Sequence, residues 1–224
     1  MSNIFITIGN DCSSRSSLCS IKLFNGSYPF DDKICDEKSL ILTLKDDFKD
    51  FLNSNYYTFD FNEFFRPINK YGIVLDHLYG FDLHDNITKD EIEKKINIKI
   101  NYDNNNYINS RVLYYNWLEQ HDNIVIPKIE RRINRFREAF QNNNNIYFWR
   151  YANFSKDGCI EINNILKNRY KNFNLTIIII HWYDSNIFIP EQIFYDLDFV
   201  KKYYFDISKD HPEQWNIIKN NLNI

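Results

Sequence analysis

The sequence predicts an α/β fold: one domain with a mostly parallel sheet covered by helices in a Rossmann-like three-layer arrangement, and an irregular insertion in the middle. Three observations predict it. Apolar runs of strand length occur at Phe5-Ile6-Thr7-Ile8, at Ile146-Tyr147-Phe148-Trp149 and from Leu175 to Ile180, and amphipathic segments of helical period alternate with them. A strand that is apolar on both faces has to be covered on both faces, which is the parallel case. With 224 residues, 44% of them hydrophobic, the chain also has enough apolar side chain for such a core.

Each element has its own reason. The first strand ends at Gly9-Asn10, and Ser13 to Ile21 follows as a helix with Leu18 and Ile21 facing inward. From Ser39 to Phe51 the apolar positions Leu40, Leu44, Phe48 and Phe51 keep to one face, which predicts a second helix. The insertion covers residues 56–127. Within it Tyr71 to Leu75 reads as a strand, and Ile96 to Ile100 alternates as a half-exposed strand does. Pro127 suits a helix start, and Ile129, Ile133, Phe136 and Phe140 recur at helical spacing, leaving Lys128, Arg131, Arg132 and Arg135 on other faces. The Asn142 to Asn145 run breaks that helix. Beyond it the reading is strand (Ile146 to Trp149), helix (Ile160 to Phe173), strand (Leu175 to Ile180), strand (Val200 to Ile207) and a terminal helix from about Pro212.

Composition removes several classes of function. A net charge of −3, from 27 basic and 30 acidic residues, gives no field that would gather a polyanion, so no nucleic-acid partner is expected. The aliphatic run Ile177 to Ile180 is far too short to span a bilayer, and Met1-Ser2-Asn3-Ile4 opens without a basic, apolar leader, so a soluble cytoplasmic protein with no membrane partner is expected. Cys12, Cys19, Cys35 and Cys159 show no CxxC spacing and read as reduced thiols. The abundance of Asn, Ile and Lys is what AT-rich coding produces and carries no functional signal.

In an open parallel sheet ligands bind beyond the carboxyl ends of the strands, so the residues just past each strand are the candidates. They are Cys12 after the first strand, Arg150 after Trp149, His181 after Ile180, and Asp206 at the end of the last strand. A thiol, an imidazole and a carboxylate meeting at one edge make a nucleophile, its base and an orienting group. A helix beginning at Ser13 would favour the Cys12 thiolate, the bland alternative being a small buried apolar residue. His77, after the strand-like Gly72 to Leu75, is a second candidate base, whereas His84, His121 and His211 sit among polar residues. Arg131, Arg132, Arg135 and Arg150 could hold a phosphate. Neither GxGxxG nor GK[ST] occurs, and no HExxH or close Cys/His pair, so no cofactor and no metal is expected.

Four blocks carry a family resemblance. Ile6-Thr7-Ile8-Gly9-Asn10-Asp11-Cys12, Ser27-Tyr28-Pro29-Phe30-Asp31, Tyr71-Gly72-Ile73-Val74-Leu75-Asp76-His77 and Ile129-Glu130-Arg131-Arg132-Ile133-Asn134-Arg135-Phe136, in that order, resemble the DUF1796 family of predicted papain-like cysteine peptidases. The resemblance runs from about Ile4 to Tyr151, with a looser echo in Asp210 to Ile218, and this chain has Asp32 where the family commonly has Trp. It implies Cys12 as nucleophile, His77 as general base and Asp31 as a supporting carboxylate. It also implies a nucleophile at the start of a long helix facing an antiparallel sheet, whereas the periodicity predicts a parallel one; the periodicity leaves His181 and Asp206 as alternative partners for Cys12.

The leading expectation is therefore a cysteine-dependent hydrolase acting on an acyl or amide carbon of a small-molecule, glycan or peptide substrate. The alternative expectations are a non-catalytic or sugar-phosphate-binding module that uses the four arginines, recognising a nucleotide sugar for example, or a host-interaction protein that keeps the fold without the chemistry.

Overall fold

The computed structural model describes residues 2–9, 13–31, 33–60, 66–75, 123, 125–151, 154–188, 190–208 and 211–223. In chain order the elements are β1 (Asn3–Thr7), α1 (Ser13–Ser20), α2 (Glu37–Lys45), β2 (Thr58–Asp60), β3 (Arg66–Ile68), α3 (Ile126–Ala139), β4 (Asn144–Tyr151), α4 (Lys156–Arg169), β5 (Phe173–Tyr183), β6 (Val200–Asp206) and α5 (His211–Leu222). The central sheet has the order β1-β4-β5-β6 and every pair in it is parallel. β2 and β3 form a separate antiparallel pair within the insertion. The α/β architecture expected from periodicity is thus present, and the antiparallel sheet implied by a papain-like resemblance is not the central sheet of this chain.

Alternation along the strands divides the core in two. Ile6, Ile146, Phe148, Leu175, Ile177 and Ile179 face one side, where α2, α3 and α4 bring Leu40, Leu44, Ile129, Phe136, Ile162 and Leu166 against them. Phe5, Tyr147, Trp149, Ile178, Ile180 and Phe205 face the other, against Leu18 of α1 and Trp215 and Ile218 of α5. Successive strand residues point to opposite faces, so a run such as Ile177 to Ile180, all of it fully buried, feeds both layers at once.

The helix ends are fixed by side chains. Asp36 caps α2 by accepting the Ser39 amide at 2.7 Å, and Ser155 caps α4 by accepting the Gly158 amide at 2.9 Å. Glu37, in the first turn of α2, accepts the Ser155 amide at 2.6 Å and so ties the two helix starts together. At the opposite ends Arg169 donates to the carbonyls of Leu44 and Lys45, Arg137 donates to the carbonyl of Asp47, and the Asp47 carboxylate pairs with both arginines. The second helix consequently stops at Lys45 instead of reaching Phe51. Asp47 and Phe48 adopt φ of 49° and 62°, and this left-handed turn still delivers Phe48 and Phe51 to the core.

Tyr71 to Leu75 also differs from its sequence reading. Asn69 Oδ1 accepts the amides of Tyr71 and Ile73, Gly72 turns at φ +85°, and Val74 makes only isolated bridges to Ile34 and Ile68. A short polar side chain holding its own backbone competes with strand pairing here. The expected strand at Ile96 to Ile100 lies outside the described residues.

Candidate active site at the carboxyl edge of the sheet

Cys12 and His77 lie outside the described residues, which include both flanks of Cys12 and the segment up to Leu75 before His77. β1 ends at Thr7, the Ile8 amide continues the ladder to the Trp149 carbonyl at 3.1 Å, and Gly9 turns with φ +84°. An added Cβ at Gly9 would lie 2.5 Å from Cys35 Cβ, so glycine is required there both by the backbone angle and by the close approach. α1 begins at Ser13. The strand expected before Cys12 and the helix expected after it are therefore present.

Three buried polar groups organise this corner. The Thr7 hydroxyl donates to Asp31 Oδ1, and Asp31 Oδ2 accepts the Tyr28 amide at 2.8 Å, with Asp31 wholly buried. Asp31 thus ties the Ser27 to Asp31 segment to the last residue of β1. Lys33, also wholly buried, donates to the Asp31 carbonyl at 3.2 Å. From β4, Arg150 donates to the Ile8 carbonyl at 2.8 Å and the Cys35 carbonyl at 3.0 Å, with its guanidinium carbon 5.0 Å from the centre of the Phe154 ring. Charged donors suit carbonyls that are shut away from water.

The remaining candidates are dispersed. Arg135 donates to the Ser27 carbonyl at 3.0 Å and lies against Gly26, Arg132 is buried on the same helix, and Arg131 is exposed. Arg135 and Arg150 thus have backbone carbonyls as partners, in two different places. Asp206 Oδ1 accepts the Ser185 amide at 3.2 Å, the Ser208 amide at 3.0 Å and the Ser208 hydroxyl at 2.7 Å. Burial raises its pKa, but these hydrogen bonds outweigh burial and hold the carboxyl well below the ordinary range. Such a carboxylate closes a turn and is a poor proton acceptor.

His181 stacks on Tyr204 with ring centres 4.9 Å apart and planes 15° apart, and burial, with a smaller contribution from Lys202, lowers its pKa. It faces a cavity of about 470 Å³ beneath the 184–199 crossover, together with Tyr195, Lys202 and Tyr204. Its strand, β5, is separated from β1 by β4, which puts about 10 Å between their axes. Sequence reasoning did not find this cavity. The signal was available: the β5 to β6 connection is the one crossover for which the sequence shows no helical period, so the face it covers is covered by a loop.

The thiols differ sharply. Cys35 and Cys159 are buried, and burial pushes the Cys159 thiol up to about 12 and the Cys35 thiol higher still, while Cys19 is exposed. Among the described residues no group of three or more His, Cys, Asp or Glu side chains is arranged to hold a metal ion, and no helix is long and apolar enough to cross a membrane. No protein-family model, no curated protein and no solved structure matches the chain.

Proposed function

We propose that the chain is a cysteine-dependent hydrolase in which Cys12 attacks an acyl or amide carbon, His77 is the general base, and Asp31 positions the turn that carries the nucleophile. One observation supports this reading: the described parts of the four separated blocks that carry the family resemblance belong to one packed cluster beside β1. Thr7 bonds Asp31, Arg135 bonds Ser27, and Phe136 packs edge-on to Phe30 at 6.3 Å. Gly9 touches Cys35, and its neighbour Ile34 bridges to Val74. Cys12 is three positions beyond Gly9 and His77 three beyond Val74, spans of at most about 10 Å each. The described residues that precede each reactive group, Gly9 and Val74, are thus linked through Cys35 and Ile34, whereas His181 belongs to a strand two positions away.

The chemistry follows from that placement. Sγ as thiolate forms the bond to the carbonyl carbon, and amides at the start of α1 receive the oxyanion charge. Imidazolium then protonates the leaving group as its bond to carbon breaks. Neutral imidazole next takes a proton from water, whose oxygen displaces the thiolate from the thioester and releases the acid.

The test uses a Cys19→Ser background, because Cys19 is the exposed competitor while Cys35 and Cys159 are shielded and protonated. Treatment with p-nitrophenyl acetate is expected to leave an acetyl group on the Cys12 peptide, with alkylation of Cys12 still rapid at about pH 6, well under the ordinary thiol value of about 8.5. Cys12→Ala removes both signals and His77→Ala slows acetylation about a hundredfold. A Cys12 that reacts no faster than a cysteine in an unfolded peptide would remove the basis for the enzyme.

A further inference from the structure

We propose that the cavity beneath the 184–199 crossover is a second ligand site, built for a small molecule that joins a flat ring to an anionic group. It lies where β5 and β6 end, on the side of the sheet covered elsewhere by α2, α3 and α4. Residues 184–199 form a crossover between two parallel strands, and among the described residues it contains no helix. A loop fills less volume than a helix, which leaves about 470 Å³ open, within the size of small-molecule pockets.

The walls are aromatic and fixed. The Tyr204 hydroxyl bonds both the amide and the carbonyl of Ile193, at 2.8 and 3.0 Å, and the Tyr195 hydroxyl donates to the Phe154 carbonyl at 2.6 Å. Both rings are thereby held, and His181 backs Tyr204 in a stack. His181 takes one face of Tyr204 and Phe194 packs against the same ring at 5.6 Å, so the cavity wall is already ordered and a ligand meets it at little further entropic cost. At the mouth, Ile187 is 83% and Phe188 65% exposed, apolar surface that a bound ring would cover.

The charge comes from Lys202. Its ammonium lies 4.2 Å from the centre of the Tyr195 ring and 5.8 Å from that of Tyr204, and among the described residues it makes no hydrogen bond or ion pair. An ammonium resting on two aromatic faces without a counter-ion, in a half-buried position, is matched by an anionic group entering the same space. Two carboxylates also line the cavity: half-buried Asp184, which accepts the Asn186 amide at 2.9 Å, and Glu191, which is exposed, where water weakens its opposition to that anion. On this geometry the ring of the ligand lies against Tyr195 and Tyr204 and its carboxylate or phosphate meets Lys202. The site uses none of the residues assigned to the hydrolase, so it holds or fails independently of that reading.

Calorimetric titration of the full chain tests it with four probes: adenosine monophosphate and indole-3-acetate, which carry both features, adenosine, which has the ring alone, and inorganic phosphate. The two combined probes are expected to bind one site per chain, at least one of them about tenfold more tightly than either single-feature probe. Lys202→Met should reduce the combined probes to the affinity of adenosine, while Lys201→Met, the neighbouring position on the other face of β6, leaves binding unchanged. Absence of binding by both combined probes at millimolar concentration overturns the proposal, as does equal affinity for Lys202→Met. The ranking of the probes on the unaltered protein decides the matter even if a variant misfolds.

Discussion

Replacing Arg150 with methionine should be among the most damaging single changes in the chain, and its size can be worked from the contacts. The guanidinium donates to two carbonyls, of Ile8 and Cys35, in a residue that is only 3% exposed, and it stacks on Phe154. Methionine keeps the length of the stem but offers neither donor. A charge-assisted hydrogen bond contributes about 1.5–3 kcal/mol and the ring contact about 0.5–2 kcal/mol, while relief from burying a cation returns part of the sum. The net loss should be about 3–5 kcal/mol, the usual outcome of removing one partner from a buried charged arrangement. A domain of this size has a total stability of roughly 5–15 kcal/mol, so the variant still folds. With a urea slope of about 2–3 kcal/mol/M, the equilibrium unfolding midpoint should fall by about 1–2 M with the slope unchanged. Arg150→Lys should recover part of the loss, since an ammonium keeps the charge but lacks the fork that reaches two carbonyls at once. A midpoint within about 0.3 M of the parent would show that the two carbonyls do not depend on Arg150, and the account of this corner would fail.

Three further outcomes follow from other groups. Asp31→Ala leaves the Thr7 hydroxyl and the Tyr28 amide without their buried acceptor, and should lower the thermal midpoint by about 6–12 °C, equivalent to about 3 kcal/mol; calorimetry reading under about 2 °C would contradict the role given to Asp31. Asp206 has a folded pKa below its unfolded value of about 3.9, so the stability it contributes is present above that value and is lost as pH falls through the folded pKa. Urea midpoints followed from about pH 6 downward should therefore decline below about pH 4, less steeply for Asp206→Asn; identical acid limbs would refute the reading. His181 should titrate below its ordinary value of about 6.5 when followed by its ring-proton resonances, and Lys202→Met should shift it upward, because one of the two causes of the shift is removed.

Fold and site were not equally legible in the sequence. β4 and β5 could be read because their centres are buried on both sides and show as unbroken apolar runs, and β1 because its last residues are; β6, an edge strand that carries Lys201 and Lys202, shows the pattern only weakly. The helix α3 could be read because Ile129, Ile133 and Phe136 all face one layer. What periodicity could not show was where long-range side chains overrule it. Leu40 to Phe51 keeps helical spacing throughout, yet Arg137 and Arg169, some ninety and more residues later, hold the left-handed turn at Asp47 that ends α2. Tyr71 to Leu75 has strand composition, yet Asn69 folds back on its amides.

The same limit applies to the site. Asp31 was singled out through the family resemblance, and the sequence held no sign that its partner would be Thr7, twenty-four residues away at the end of β1. Arg150 is read as following a strand that ends at Trp149, whereas β4 runs on to Tyr151 and contains it, and residue type alone could not tell a ligand-binding cation from one whose carbonyl partners are Ile8 and Cys35. His181 is read as following a strand that ends at Ile180, whereas β5 runs on to Tyr183, and the cavity it lines brings together Tyr195, Tyr204 and Lys202, which sequence position leaves unconnected.

The aliphatic heart of β5 has a consequence during synthesis. Ile177 to Ile180 leaves the ribosome before β6 and α5 exist, and those two later elements supply the neighbour on one side and much of the cover on one face. For that interval the nascent chain displays an uncharged, proline-free stretch of high β-propensity, the composition that most readily pairs with copies of itself. Chains truncated before Val200 should accordingly collect in the insoluble fraction, and chaperones that shield short apolar strands should bind ahead of that point more than after it.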